Sequence, residues 1–174
     1  MKRKGLLGRA LVCLAAEVGC WWIARRRAGY RRVGEGLSEV ERGLFDRYFD
    51  AELLASVRVA RVERIEPALP LWLVRRLPAG ADISMAGGMA FGDAVVLTRS
   101  EERRENPQSV LFHELVHCAQ YRAMGVRGFL REYLGGWVSV GFDYFAIPLE
   151  VQAYAMQDRF EKAEVFEVDR EIRG

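Results

Sequence analysis

Histidine and cysteine are scarce in this chain. Of its 174 residues, two are histidines and three are cysteines. The cysteines, Cys13, Cys20 and Cys118, are odd in number and show no paired spacing, so the sequence predicts no disulfide framework. Any chemistry that needs imidazole must therefore use His113 and His117, which lie four residues apart.

Acidic residues outnumber basic residues over most of the chain. Residues 1–33 carry nine Lys or Arg and one acid, whereas residues 34–174 carry seventeen Lys or Arg and twenty-three acids. No basic stripe remains after residue 33, which disfavours nucleic acid as a partner. A hydrophobic content of 51% with 29% charged residues is typical of a soluble domain with an apolar core. We therefore expect a basic and apolar N-terminal segment, 1–33, followed by one domain, 34–174.

The N-terminal segment lacks an uninterrupted hydrophobic run. Its apolar stretch, residues 5–24, has about the length that crosses a bilayer, but Arg9 and Glu17 interrupt it, and a charge at mid-depth is costly. No A-x-A-like site follows the stretch, which argues against a cleaved signal peptide. Glu17 lies three residues before Cys20, which does not fit the lipoprotein pattern.

Two interpretations of this segment remain open. Trp21 and Trp22 followed by residues 25–27, all arginine, resemble an anchor at a membrane interface. Alternatively, the segment is an amphipathic helix that packs on its own domain. The expected location is accordingly cytoplasmic or membrane-associated, and not clearly secreted.

Residues 53–100 show strand patterns. Residues 53–66 alternate apolar residues with arginines, which predicts a strand. Residues 67–78 are bounded by prolines and fit either a short strand or a surface helix. Residues 81–100 predict a hairpin, with its turn at residues 87–88 and its second strand at residues 91–98.

Helical patterns lie on both sides of these strands. Residues 37–49 begin with a capping box, Ser38 and Glu41, and continue at helical spacing. Residues 126–147 predict a helix followed by a loop, and Pro148 begins a last long helix that reaches about residue 172.

The helix that carries the histidines has clear ends. Asn106 can cap it, Pro107 fits its first position, and Gly125 fits a left-handed stop. On this helix His113 and His117 are separated by about 40° around the axis and about 6 Å along it, so both rings can bind one metal ion.

Glu114 completes an H-E-x-x-H motif. It lies about 100° around the helix from His113, too far to join the same coordination sphere, but close enough to hydrogen-bond a water molecule held by the metal. In this arrangement the histidines bind Zn²⁺ and the glutamate accepts the proton. The alternative is a buried pair of structural histidines, which is less favoured because the motif lies on a well-capped helix.

A hydrolytic zinc site needs three protein ligands and one open position. The extended motif H-E-x-x-H-x-x-G-x-x-H is excluded, because Gln120 and Ala123 stand at its glycine and third-histidine positions. Cys118 points away from the histidines and is expected in the core. The remaining candidates for the third ligand are four downstream carboxylates: Glu132, Asp143, Glu150 and Asp158.

Glu150 is the best placed of the four. It lies in the first turn of a helix whose direction Pro148 fixes. Asp143, in the preceding loop, is its rival. Glu132 is too close to the motif helix along the chain to fold back easily.

Two motifs together resemble a known family. HELVH at residues 113–117 and PLEVQAYA at residues 148–155 are similar to the gluzincin class of zinc metallopeptidases and, more narrowly, to small bacterial zincin-like domains. The resemblance covers about residues 80–160. It implies an α+β zincin-like fold, with a small N-terminal β-sheet, an active-site helix and C-terminal helices. It also implies a peptide or protein substrate, Glu114 as the catalytic base, and three Zn²⁺ ligands: His113, His117 and Glu150.

One position departs from the family's pattern. The aspartate that orients a ligand histidine, four residues after the glutamate, is Tyr154 here. Tyr154 could accept the same hydrogen bond, and Tyr154 and Tyr144 are candidate donors to the negative charge of a tetrahedral intermediate. Gln120 and Tyr121 lie about one turn beyond the histidines and are candidates for contact with them. The strand at residues 90–98 matches the edge on which zincins bind an extended peptide.

A second hypothesis belongs to a different class. The chain would be a metal-stabilised interaction or membrane-anchoring module of zincin-like fold, without catalytic turnover. The sequence shows no large second lobe of the kind that usually builds a deep cleft. A zinc ion would then only hold two helices together.

Overall fold

The computed structural model describes residues 2–65, 87–100 and 106–173, with side chains from Cys13 onward. The helices are α1 (Lys2–Val33), α2 (Glu39–Phe45), α3 (Ala51–Ser56), α4 (Pro107–Ser139), α5 (Pro148–Glu161) and α6 (Val168–Arg173). The strands are β1 (Arg58–Val62), β2 (Gly88–Phe91) and β3 (Ala94–Thr98). The described part of the chain is therefore mainly helical with one small sheet, and the predicted α+β class is confirmed.

The sheet places β3 in the centre. The strand order is β1-β3-β2, with β1 parallel and β2 antiparallel to β3. All five residues of β3 are buried, as is typical of a strand covered on both faces. The match of residues 90–98 to a peptide-binding edge is therefore wrong for residues 94–98, which lie in the central strand. Residues 90–91 belong to β2, which is the edge strand on the side of α4.

The hairpin turn also differs from the prediction. The chain turns at Gly92 and Asp93, between β2 and β3, and Gly92 has a φ of +71°, as the first residue of a type II′ turn requires. Gly88 lies in β2 instead. A Cβ atom there would stand 2.8 Å from Oε1 of Glu114, so this glycine allows close approach of strand and helix.

Local capping explains where β1 begins. The Asp50 carboxylate accepts a hydrogen bond from Leu53 N–H at 2.8 Å and starts α3, so residues 53–56 are helical rather than extended. The strand predicted within residues 53–66 is confirmed for residues 58–62. The capping box of α2 is confirmed. Residues 67–78, and the first part of the predicted hairpin, lie outside the described residues.

Helix α4 changes direction at Gly125. This glycine has φ 68° and ψ 162°, so its φ is positive but its ψ is extended rather than left-handed helical. The predicted left-handed stop is therefore wrong, because the helix resumes at once and continues to Ser139. Pro107 occupies its first turn as predicted. Asn106 stands at the cap position without a side-chain hydrogen bond to the helix.

The predicted last helix is two helices. The first of the two, α5, ends at Glu161, and Ala163 in the turn that follows has a φ of +56°. The turn allows Phe166 to enter the core, where its ring lies 5.2 Å from that of Tyr48. Burial of this aromatic side chain outweighs the helical propensity of residues 162–167.

Aromatic packing fixes the start of α4. The Phe112 ring stacks on Phe160 of α5, with a centroid distance of 4.4 Å, and also contacts Phe45 and Tyr48. These contacts hold α4 and α5 side by side, next to His113.

Helix α1 packs on the sheet. The rings of Trp22 and Tyr30 each lie 5.3 Å from that of Phe91 in β2. This agrees with the interpretation of residues 1–33 as a helix packed on its own domain. Among the helices of the described residues, none combines the length and the hydropathy that crossing a membrane requires.

Candidate metal centre

The two histidines lie inside the protein. Residues 111–121 of α4 are buried on every side of the helix, and His113 and His117 are only 5% and 6% exposed. Their ring centroids are 4.8 Å apart. Interior polar groups require partners, and each ring nitrogen of this pair lies within 3.2 Å of another polar side-chain atom.

Glu150 is the carboxylate that meets the pair. Its Oε2 lies 3.2 Å from Nε2 of His113 and 3.4 Å from Nε2 of His117, and the two Nε2 atoms are 3.1 Å apart. All three side chains are buried, and their donor atoms lie within 4.8 Å of one another. Within the described ranges, this is the one group of His, Cys, Asp or Glu side chains that could hold a metal ion.

The other carboxylate candidates lie elsewhere. Asp143 accepts a hydrogen bond from Phe145 N–H at 3.0 Å and caps the 3-10 turn Tyr144–Ala146. Asp158 pairs with Lys162 at 2.6 Å. Glu132 is exposed on the second half of α4.

Gln120 fixes the orientation of the His117 ring. Its Nε2 donates to Leu149 O at 3.1 Å and to Gln152 Oε1 at 2.8 Å, so both amide protons are committed. Its Oε1 therefore faces Nδ1 of His117, 2.8 Å away. Because an amide oxygen only accepts hydrogen bonds, Nδ1 carries the proton. In the neutral ring, Nε2 then carries no proton and presents its lone pair.

Gln157 does the same for His113. Its Nε2 donates to Ser109 Oγ at 2.8 Å and to Glu161 Oε1 at 3.1 Å. Its Oε1 lies 3.0 Å from Nδ1 of His113, which is therefore the protonated nitrogen. Nε2 of His113 is a second bare lone pair.

Three electron-pair donors thus converge on one point. Two imidazole Nε2 atoms and a carboxylate oxygen cannot satisfy one another, so the cluster requires a cation, either a proton or a metal ion. Although burial opposes a charge on the imidazole, Glu150 raises the pKa of His117 to about 9. Burial likewise opposes the charge of Glu150, but hydrogen bonds from His113 and His117 hold its pKa far below the usual range. The residues therefore fit a bound cation.

The second oxygen of Glu150 is also held. The Tyr133 hydroxyl donates to Oε1 at 2.6 Å, which leaves Oε2 facing the histidines. Tyr144 also lies near Glu150, and burial, together with the Glu150 charge, raises the pKa of its hydroxyl. Burial, with the Glu150 charge, raises the pKa of Tyr133 well above its usual value, so this hydroxyl keeps its proton.

Glu114 contributes nothing to the convergent cluster. It is 5% exposed, and the Ala90 N–H of β2 donates to its carboxylate. Its Oε2 is buried with no hydrogen-bond partner among the described residues. Burial raises the pKa of Glu114, while His113 and His117 oppose the rise. An unpartnered buried carboxylate oxygen is costly, and it is accounted for if a molecule from outside the chain donates to it.

The remaining predicted residues have distinct positions. The Tyr154 ring lies 4.5 Å from that of His113 and is 38% exposed, while Gln157 makes the hydrogen bond considered for Tyr154. Tyr121 stacks on Phe129 at 3.7 Å and serves packing. Cys118 is buried in the core, as expected.

The contacts of Tyr133 with Glu150 and of Gln157 with His113 were not predicted from the sequence. Gln157 lies seven residues after Glu150, two turns along the same face of α5, so helical spacing could have identified it. Tyr133 reaches Glu150 only because α4 turns at Gly125, and no spacing in the sequence signals that contact.

Comparisons with known proteins find no match. No protein-family model, no curated protein and no solved structure matches the chain. The resemblance to gluzincins therefore depends on the two motifs that supply His113, His117 and Glu150. The function is inferred from the geometry of these residues and of Glu114.

Proposed function

We propose that the protein is a zinc-dependent hydrolase, and specifically a metallopeptidase of zincin-like fold. The observation that supports this is the meeting of the Nε2 atoms of two histidines with a Glu150 oxygen. Two nitrogens and one oxygen are a donor set of catalytic zinc sites, in which the fourth position stays open. His113, His117 and Glu150 would be the ligands.

Glu114 would be the catalytic base. Zinc in this site would act as a Lewis acid on the substrate carbonyl and make water more acidic. The free oxygen of Glu114 accepts the proton of the attacking water and then delivers it to the leaving amine. Burial raises the pKa of this carboxyl, which makes it a stronger base.

The edge of β2 is the proposed place for an extended peptide. The Thr98 N–H donates to Gly87 O at 2.8 Å, so the antiparallel ladder turns the N–H and C=O groups of Gly88 and Ala90 outward. The Ala90 N–H already interacts with Glu114, which leaves the Gly88 N–H and the two carbonyl groups for an added strand. No strand of the described part of the chain pairs with this edge. A substrate backbone added there would lie beside Glu114.

Two tyrosines would stabilise the developing oxyanion. Tyr144 and Tyr154 lie next to Glu150 and His113, and Tyr154 is partly exposed. Burial and the Glu150 charge raise the pKa of Tyr154, so it remains a neutral donor.

The alternative is a metal site that only joins α4 to α5. A structural zinc site is normally closed by four protein ligands, whereas this cluster supplies three and leaves a further buried carboxylate outside the ligand set. Glu114 is buried at a free-energy cost without binding to the convergent cluster. This favours catalysis over a structural role.

The decisive experiment combines metal analysis with one isosteric substitution. Purified protein should contain one zinc ion per chain, and Glu114→Gln should keep that zinc while proteolysis of an unfolded protein substrate falls about 10²–10⁴-fold. Glu132→Gln, an exposed site on the same helix, is the matched control and should retain full activity.

Three results would contradict the proposal. Absence of stoichiometric zinc would remove the metal centre. Full proteolysis by Glu114→Gln would exclude Glu114 as the catalytic base. Zinc retention without any activity in the native protein would favour the structural alternative.

A further inference from the structure

A row of exposed apolar side chains lies along α1. Leu14, Val18 and Trp21 are 65%, 63% and 66% exposed. Their spacing of four and three residues puts them on one face of the helix. Large apolar side chains that are scattered singly need no explanation, but a continuous row on one helix face does.

The opposite face of α1 is the one that packs on the body. Ala16 and Ile23 are 0% and 3% exposed, and Gly19 lies against Leu130 of α4. The helix therefore has two apolar faces. Intramolecular packing uses one of them and leaves the row uncovered by the described parts of the chain.

The one acid that flanks the row is paired with the body of the protein. Glu17, the one acid of residues 1–33, forms ion pairs with Arg127 at 2.8 Å and with Arg131 at 3.5 Å, both on α4. The acid that interrupts the apolar stretch is thus neutralised by the body. On the exposed side, Arg25 lies over the Trp21 ring, with its guanidinium carbon 5.8 Å from the ring centroid.

We infer that this row, Leu14, Val18 and Trp21, is a lipid-binding face that holds the protein on an anionic membrane surface. An amphipathic helix with tryptophan beside arginine, in a segment with nine cations and one acid, suits the headgroup layer of such a membrane. The helix would lie in the interface, since no described helix meets the requirements for crossing a bilayer.

A second copy of the chain would cover this row less favourably than a lipid surface. Pairing two such rows would bring together two segments that each carry a large positive net charge. Anionic lipid complements that charge, whereas a second copy repels it. This inference is independent of the proposed hydrolase activity.

The test is binding of the full-length protein to vesicles. Sedimentation should show binding to phosphatidylcholine vesicles that contain phosphatidylglycerol, with little binding to phosphatidylcholine alone and weaker binding at high salt. The double variant Leu14→Gln with Val18→Gln leaves the charge unchanged and should reduce partitioning at least about tenfold.

The matched control removes two apolar side chains elsewhere. Val40 and Val165 are 80% and 72% exposed, and Val40→Gln with Val165→Gln should bind vesicles like the native protein. Circular dichroism verifies that both double variants are folded. Absence of binding by the native protein, or equal loss in both double variants, would overturn the inference. A native dimer in the absence of lipid that only the Leu14 and Val18 changes dissociate would assign the row to a second copy instead.

Discussion

At the scale of single residues, the metal centre depends on neutral amides. Metal-binding histidines commonly donate their second ring nitrogen to a carboxylate or a carbonyl. Here Gln120 and Gln157 accept those hydrogen bonds. Because the amide protons of each glutamine are committed elsewhere, the amide cannot rotate to present its nitrogen, and the tautomer of each histidine is fixed.

Gln157→Leu tests this orientation of His113. The change removes the acceptor at similar volume, so we expect zinc affinity to fall about 10–100-fold. Gln157→Glu retains an acceptor for His113 but places a second carboxylate beside Glu161, so it should restore only part of the affinity. Competition with a chromophoric chelator measures both. Gln108→Leu, at a half-buried position in the first turn of α4, is the control and should have no effect. Equal affinity in Gln157→Leu and the native protein would show that the amide does not orient the ring.

The His-His-Glu group could be predicted because local rules govern it. Helical spacing brings His113 and His117 together, and Pro148 sets the direction of Glu150. The partners of these residues depend on how α4 and α5 pack. Tyr133 could not be predicted, since its contact with Glu150 depends on tertiary structure.

At the scale of elements, the turn in α4 shapes the site. Gly125 lets the second half of the helix turn back, so that Phe129 stacks on Tyr121 and Tyr133 reaches Glu150. A φ of 68° with a ψ of 162° is accessible essentially to glycine alone.

Gly125→Ala should therefore destabilise the protein. We expect a loss of about 1–3 kcal/mol in the free energy of unfolding, measured by denaturant titration. Gly29→Ala is the control, for which we expect the opposite change in the free energy of unfolding. Gly29 is helical and has no atom within 4 Å of an added Cβ, so alanine there should stabilise by about 0.5–1 kcal/mol. Equal effects of the two substitutions would contradict the role assigned to Gly125.

The elements themselves were predictable only where local signals agree with packing. The capping box of α2 and the proline starts of α4 and α5 are confirmed. The predicted position of the hairpin turn is wrong because residues 87–88 look like a turn, whereas Gly88 serves the close approach of Glu114. The break after α5 arises from burial of Phe166, which sequence periodicity does not reveal.

At the scale of the whole molecule, the metal centre links stability to pH. In the absence of metal, His117 has its pKa raised to about 9, since Glu150 outweighs the effect of burial. Zinc must displace that proton. Its apparent affinity should therefore rise with pH, by up to about tenfold per unit, and level off near pH 9. We therefore expect zinc to raise the midpoint temperature of thermal unfolding more at pH 8 than at pH 6. A zinc effect independent of pH would contradict this coupling.

The hairpin turn has a consequence for how the protein can be handled. Arg27 and Arg31 of α1 both pair with Asp93, at 2.5 and 2.7 Å. The same helix covers Phe91, at the end of the strand that borders Glu114. A truncated protein that begins at residue 34 would strip this strand of its cover and of both guanidinium groups. Deleting the first helix would disturb both the surroundings of Glu114 and any lipid attachment. Point substitutions on the outer face of this helix therefore separate the effect on lipid attachment from the effect on Glu114.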